Sequence, residues 1–187
     1  MASLIDLVKE NLGPQELSQI SQQLGTDQAT TQQAVNAALP ALVGGLANTA
    51  QQPQGVNGIQ QLVSSHAGVL GSLGSLLGAG APADGGGVLG RILGQHQPDV
   101  QQGVQQASGL GSDQTRKLLM ILAPIVLGAL AKRAMSHGTA NDSAAIQQSL
   151  QEDGQQARQH AEAHSPHLGG LLGKIVGMAE SPEMRNR

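Results

Sequence analysis

Residues 118–131 read LLMILAPIVLGALA, fourteen residues without a charge. Arg116 and Lys117 stand before the run, and Lys132 and Arg133 follow it. A bilayer span needs about 20 apolar residues, so the stretch reads as a buried central helix and not as a membrane span. Its one irregular residue is Pro124. A proline inside a helix cannot donate to the carbonyl four residues back, here Met120, and its ring crowds that oxygen. A kink is therefore expected at Pro124.

Residues 40–47, PALVGGLA, match residues 124–131, PIVLGALA. Pro40 is expected to kink its own helix in the same way, against the carbonyl of Asn36. The match extends outward from these runs. LGTDQ at 24–28 returns as LGSDQ at 110–114, and Pro14 has a counterpart in Pro98. GGVLGRILG at 86–94 returns as GGLLGKIVG at 169–177, with a cation at the same place in each, Arg91 and Lys174. Internal repetition of this kind points to a duplicated structural unit. The joint falls in the Gly/Ala/Pro-rich stretch 78–87, which has the composition of a loop or linker. The expected division is a first helical repeat over 1–80 and a second over 81–187, packed separately or as one domain.

Every segment around these runs reads as helical, so the expected fold is all-α: a duplicated multi-helix array with two Pro-kinked central helices and short Gly-rich helices. Leu4, Ile5, Leu7, Val8 and Leu12 form a helical stripe. Pro14 suits a first helical position, and Leu17, Ile20 and Leu24 continue at spacings of three and four. Gly25 then suits a helix end. Thr26 and Ser112 are expected N-caps, with Asp27 and Asp113 placing negative charge at the positive helix end. Val100, Val104 and Ala107 mark the equivalent helix in the second half. A polar helix is expected from about 143 to 163. No stretch alternates as a strand does.

Composition removes several kinds of function. There is no Phe, Tyr, Trp or Cys. No ring is present to stack on nucleobases, to cage a quaternary amine or to anchor a span at a membrane interface. Without cysteine there is no disulfide, thiolate nucleophile or zinc–sulfur site. The formal charge of −3 gives no basic footprint for a phosphate backbone, so no nucleic-acid partner is expected. The first residues, MASLIDLVKENLG, lack the basic and apolar regions of a secretory signal, and a cytoplasmic location is expected.

Candidate chemistry is sparse. His160 and His164 share a helix face at i, i+4, a spacing that zinc-binding helices use. His167 lies beyond Pro166, and no third ligand is obvious, so the pair reads more readily as solvated surface than as a metal site. Between Leu17 and Gly90 the only charged side chains are Asp27 and Asp84, so paired acids for general acid–base work are missing there. Ser72 and Ser75 lie among glycines without a preceding strand or a base. No enzyme activity and no cofactor are expected. What remains is glycine spacing. Gly86, Gly90 and Gly94 recur every four residues, as do Gly169, Gly173 and Gly177. A phosphate cradle would need a preceding strand and a Lys-Ser/Thr ending. Small residues at this spacing instead let helix backbones approach closely, so these six glycines are the expected interaction face, with Arg91 and Lys174 opposite it or at its rim. Glycine costs a helix about 1 kcal/mol relative to alanine, which makes such helices dependent on packing partners.

The LG[S/T]DQ motif, the LPALVGGL run and the GLLG segments resemble the bacterial domain of unknown function 937 family and the related YidB-like helical proteins. The resemblance covers about residues 4–178. It implies an all-α bacterial protein of the cytosol and supplies no catalytic residues. The function expected is non-enzymatic, with self-assembly into a homo-oligomer or filament through similar faces presented twice. Three alternatives stand beside it: a helical module that binds lipid or peptide between its helices, a metal-dependent protein using the histidine cluster, and a hydrophilic stress-related protein of limited order.

Overall fold

The computed structural model describes residues 3–52, 54–78, 84–139 and 142–164. The fold is all-α, with no strand among the described residues. In chain order the helices are α1 (Leu4–Asn11), α2 (Pro14–Leu24), α3 (Gln28–Ala50), α4 (Gly55–His66), α5 (Leu73–Gly78), α6 (Gly85–Leu93), α7 (Gln97–Ser108), α8 (Ser112–Ser136) and α9 (Ser143–His164).

α3 and α8 are the central pair. Residues 37–47 of α3 and 121–131 of α8 are buried without interruption. A helix that is apolar on every side has to be enclosed by other helices, and these two touch each other and most of the rest. Pro40 and Pro124 lie inside the continuous spans of α3 and α8. α8 is long and apolar enough to cross a membrane by length and composition, with mean hydropathy 1.8 over its best window. In this fold 78% of that window is buried against the chain's own helices. One contiguous core joins both halves of the chain, from Leu4 to Ala161, and it is built of Leu, Ile, Val and Ala.

The entries to the central helices are matched in detail. α2 ends at Gly25 with φ 66°, and α7 ends at Gly109 with φ 73°. That left-handed region is open to glycine without a Cβ penalty. One helical turn in, Thr31 bonds the carbonyl of Asp27 at 2.9 Å and Thr115 bonds that of Gly111 at 3.0 Å. The caps themselves differ from the sequence expectation. Asp27, not Thr26, caps α3, its carboxylate accepting from the Thr30 N–H at 2.8 Å. Gly111, not Ser112, caps α8. The Gln114 side chain accepts from the Gly111 N–H at 3.0 Å and donates to the Leu24 carbonyl at 2.8 Å. That one amide ties the start of α8 to the end of α2 across the two halves.

Candidate functional site

α6 presents two different faces. Gly85, Val88, Leu89, Ile92 and Leu93 are buried, at the i, i+3, i+4, i+7 spacing of a helix stripe. Gly85 lies so close to α8 that a Cβ there would stand 2.5 Å from the Met120 carbonyl oxygen. At the other end, Gly45 of α3 has Leu93 and the Ile92 carbonyl at its surface. Thr49 donates to that same carbonyl at 3.0 Å. α6 is thus seated across both central helices by backbone approach.

The outer face of α6 is nearly bare backbone. Gly86 and Gly87 are exposed and Gly90 is half-buried. Among the described residues, a Cβ on Gly87 or Gly90 would meet nothing within 4 Å, and one on Gly86 would meet only the tip of Met120 at 3.8 Å. Gly94 does not continue this face. It closes the helix with φ 51° and ψ −125°, a backbone state that glycine reaches most easily. The expected set of Gly86, Gly90 and Gly94 therefore splits into two helix-face positions and one helix end. The glycine of α6 in tight contact within the chain is Gly85, beside the expected set. Gly169, Gly173 and Gly177 lie outside the described residues.

Arg91 sits at the rim of the bare face. With Asn57, Gln60, Gln61, Leu62, Ser64 and Ser65 of α4 it lines a groove of about 740 Å3. Apart from Arg91 the polar groups there are neutral amides and hydroxyls. Among the described residues the only large hydrophobic side chain well exposed is Met135.

A second concavity lies where α1, the end of α8 and α9 meet. Its base is a charge pair that the sequence reading did not find. Arg133 and Asp153 have side chains only 13% and 5% exposed. Arg133 Nη1 donates to Asp153 at 3.0 Å, and Nη2 donates to both Asp153 and Ser149. Asp153 also accepts from the Leu4 N–H at 3.1 Å. One carboxylate therefore holds three helices, meeting an otherwise free donor in the first turn of α1 and neutralising a buried guanidinium. Nothing in the sequence joins Arg133 to Asp153. The available signal was an acid followed by Gly154, whose close approach to Ala47 of α3 brings that part of α9 inward.

Several titratable groups are engaged in structure. Ser3 caps α1, and its hydroxyl donates to Asp6 at 2.8 Å. That hydrogen bond is the main cause holding the Asp6 carboxyl below its ordinary value, and His160 nearby acts in the same direction. The Thr30 side chain holds Asp27 low in the same way. His160, on α9, is near enough to Asp6 to act on its charge, while the side chain of His164 lies outside the described ones. Among the described residues no group of three His, Asp or Glu side chains is placed to hold a metal ion. His66 is buried with Nδ1 2.8 Å from the Leu62 carbonyl oxygen. A carbonyl only accepts, so Nδ1 carries the proton, and Nε2 lies 3.5 Å from Asp84 just before α6.

Compared with protein families, the chain matches a family of bacterial proteins of unknown function, DUF937, over residues 6–133. That is more than half of the chain. The chain belongs to the DUF937 family. No curated protein matches it, and no solved structure does. The DUF937 span runs from α1 into α8 and ends at Arg133. It holds both faces of α6 and the groove beside it. α9, which brings Asp153 to Arg133, lies beyond it.

Proposed function

We propose that this protein is a non-enzymatic, self-associating helical protein, and that the open face of α6 with its neighbouring groove is where a second copy docks. The observation that carries this reading is the glycine at Gly87 and Gly90. Each costs the helix about 1 kcal/mol relative to alanine, and nothing among the described residues occupies the space a Cβ would take. Gly85 is explained by α8. Gly87 and Gly90 are explained by a backbone that approaches from outside.

A second copy is the partner best suited to the surroundings. Apart from Leu62 and the rim residue Arg91, the groove is lined by Asn57, Gln60, Gln61, Ser64 and Ser65. Amides and hydroxyls both donate and accept, so such a patch pairs with its own image, as a two-fold interface demands. The net charge of −3 opposes association little. The matched order of α1–α2–α3 and α6–α7–α8, with left-handed Gly25 and Gly109 at equivalent places, supports reading the chain as a duplicated unit.

The test is the mass of the full chain in solution by size exclusion with light scattering, detected by refractive index because the chain has no aromatic residue. The unsubstituted chain is expected to run as a multiple of 19.0 kDa. The double variant Gly87→Gln, Gly90→Gln adds uncharged bulk on the open face and is expected to return it to the monomer. An oligomer untouched by that variant would move the interface elsewhere.

A further inference from the structure

We propose that the cavity between α1, the end of α8 and α9 is a binding site for a single-chain amphiphile with a neutral or zwitterionic head. The inference stands apart from self-association, since it uses none of the residues of α6 or of the groove beside it.

The cavity measures about 480 Å3, within the range of roughly 300–1,000 Å3 usual for small-molecule sites. A docked helix of nine residues and about 10 Å diameter would need roughly 1,000 Å3, so the space suits a small molecule better than a helix. Leu7, Leu130, Ala134, Ala145 and Ile146 supply the apolar lining. All are aliphatic, and none offers a ring face to an aromatic ligand. An alkyl chain is the complement of such walls.

The polar lining decides the head. Lys132 and Arg133 bring two positive charges and Glu152 and Asp153 two negative ones. His137 also lies in the lining. Arg133 and Asp153 neutralise each other at the base, and that geometry uses the guanidinium on Asp153 and Ser149. With two positive and two negative side chains the lining carries no net charge, and a carboxylate that drew on Arg133 would take it from Asp153, leaving a buried acid without its partner, which is costly. A neutral head meets the exposed amides of Gln148 and Gln156 without disturbing the pair.

The test makes use of a chain without aromatic residues. Leu7→Trp places the only fluorophore at the cavity wall. Titration with monodecanoylglycerol below its aggregation limit is expected to shift the emission to the blue and to saturate at one equivalent. Dodecylphosphocholine is expected to act likewise, and decanoate to bind at least about tenfold more weakly. Ala145→Leu fills the cavity from its partly exposed side and is expected to abolish the response with an unchanged circular-dichroism melt. Should Leu7→Trp not fold, the methyl resonances of Ile146 and Leu130 in the unsubstituted chain read the same titration. No saturable shift in either measurement overturns the proposal. Undiminished binding in Ala145→Leu overturns it by placing the ligand elsewhere, and decanoate binding as tightly as the glyceride overturns the assignment of the head. Displacement of the glyceride by a tighter-binding peptide of sequence GGLLGKIVG would make the site a peptide site instead.

Discussion

α6 and α9 both reach the central pair through a glycine, yet they turn different surfaces outward. Gly85 brings α6 against the backbone of α8, and Gly154 brings α9 against Ala47 of α3. Outside, beyond the cavity that Glu152 and Gln156 line, α9 shows Gln151, Gln155 and Gln159, a face that water solvates. α6 shows Gly86, Gly87 and Arg91, with Gly90 between them. Solvation needs side chains such as those of α9 and gives no reason for glycine. The inner glycines follow from packing among the described residues, and the outer glycines of α6 do not. The contrast assigns the outward side of α6 to contact and that of α9 to solvent.

The contrast breaks first where α9 is held. Asp153→Ala leaves the Arg133 guanidinium buried without a partner and the Leu4 N–H without its acceptor. Removing one member of a buried pair costs about 3–5 kcal/mol, and urea unfolding is expected to show a loss of that size. A loss below about 1 kcal/mol, the scale of an exposed pair, would mean that water reaches the pair and that packing alone seats α9.

The inner contact of α6 comes next. Gly85→Ala forces a Cβ against the Met120 carbonyl oxygen, a backbone atom that cannot swing aside. Overpacking of this sort costs about 1–3 kcal/mol, read as a lower denaturation midpoint. A neutral outcome would show that α6 lifts from α8 without penalty and would remove the distinction between its faces.

Acid stability tests α1, which Asp153 also holds. Ser3→Ala removes the N-cap at a cost of about 1 kcal/mol. Because Asp6 titrates lower in the folded protein than in the unfolded chain, its contribution is present above the ordinary carboxylate value of about 3.9 and disappears as the pH falls below it. The melting temperature is expected to drop as the pH falls below about 4, and to drop less in Ser3→Ala. Equal drops in both would assign the acid sensitivity to other carboxylates such as Asp27.

The smallest change has the opposite sign. Gly90→Ala fills open space and is expected to stabilise the isolated fold by up to about 1 kcal/mol, while weakening self-association. At the solvated face of α9, Gln155→Ala is expected to change neither quantity. Two opposite signs from a single methyl group would sharpen the assignment of the outer face, and a Gly90→Ala chain that associates as well as the parent would break it.

Much of this architecture was legible in the sequence. The uncharged run at 118–131 and its partner at 40–47 announced the central pair, because a stretch apolar on all sides has few places to go. Glycine 25 and proline 14 marked helix ends through backbone geometry, which is local. The caps were off by one residue, since Thr26 and Asp27, or Gly111 and Ser112, compete for the position and the neighbouring turn decides. The bare face of α6 was half legible. Spacing alone does not separate Gly85, which meets a backbone, from Gly86 and Gly90, which meet almost nothing, nor does it show that Gly94 has left the helix. The Arg133–Asp153 pair was invisible, because twenty residues and a turn separate its members and only the crossing of α9 over the central pair joins them.

The most direct test of self-association through α6 is the light-scattering mass of the full chain across a concentration series, set beside that of Gly87→Gln, Gly90→Gln. The account predicts a mass that rises to a multiple of 19.0 kDa for the parent and stays at the monomer for the variant. A parent that remains at 19.0 kDa at the highest concentration reached would contradict it.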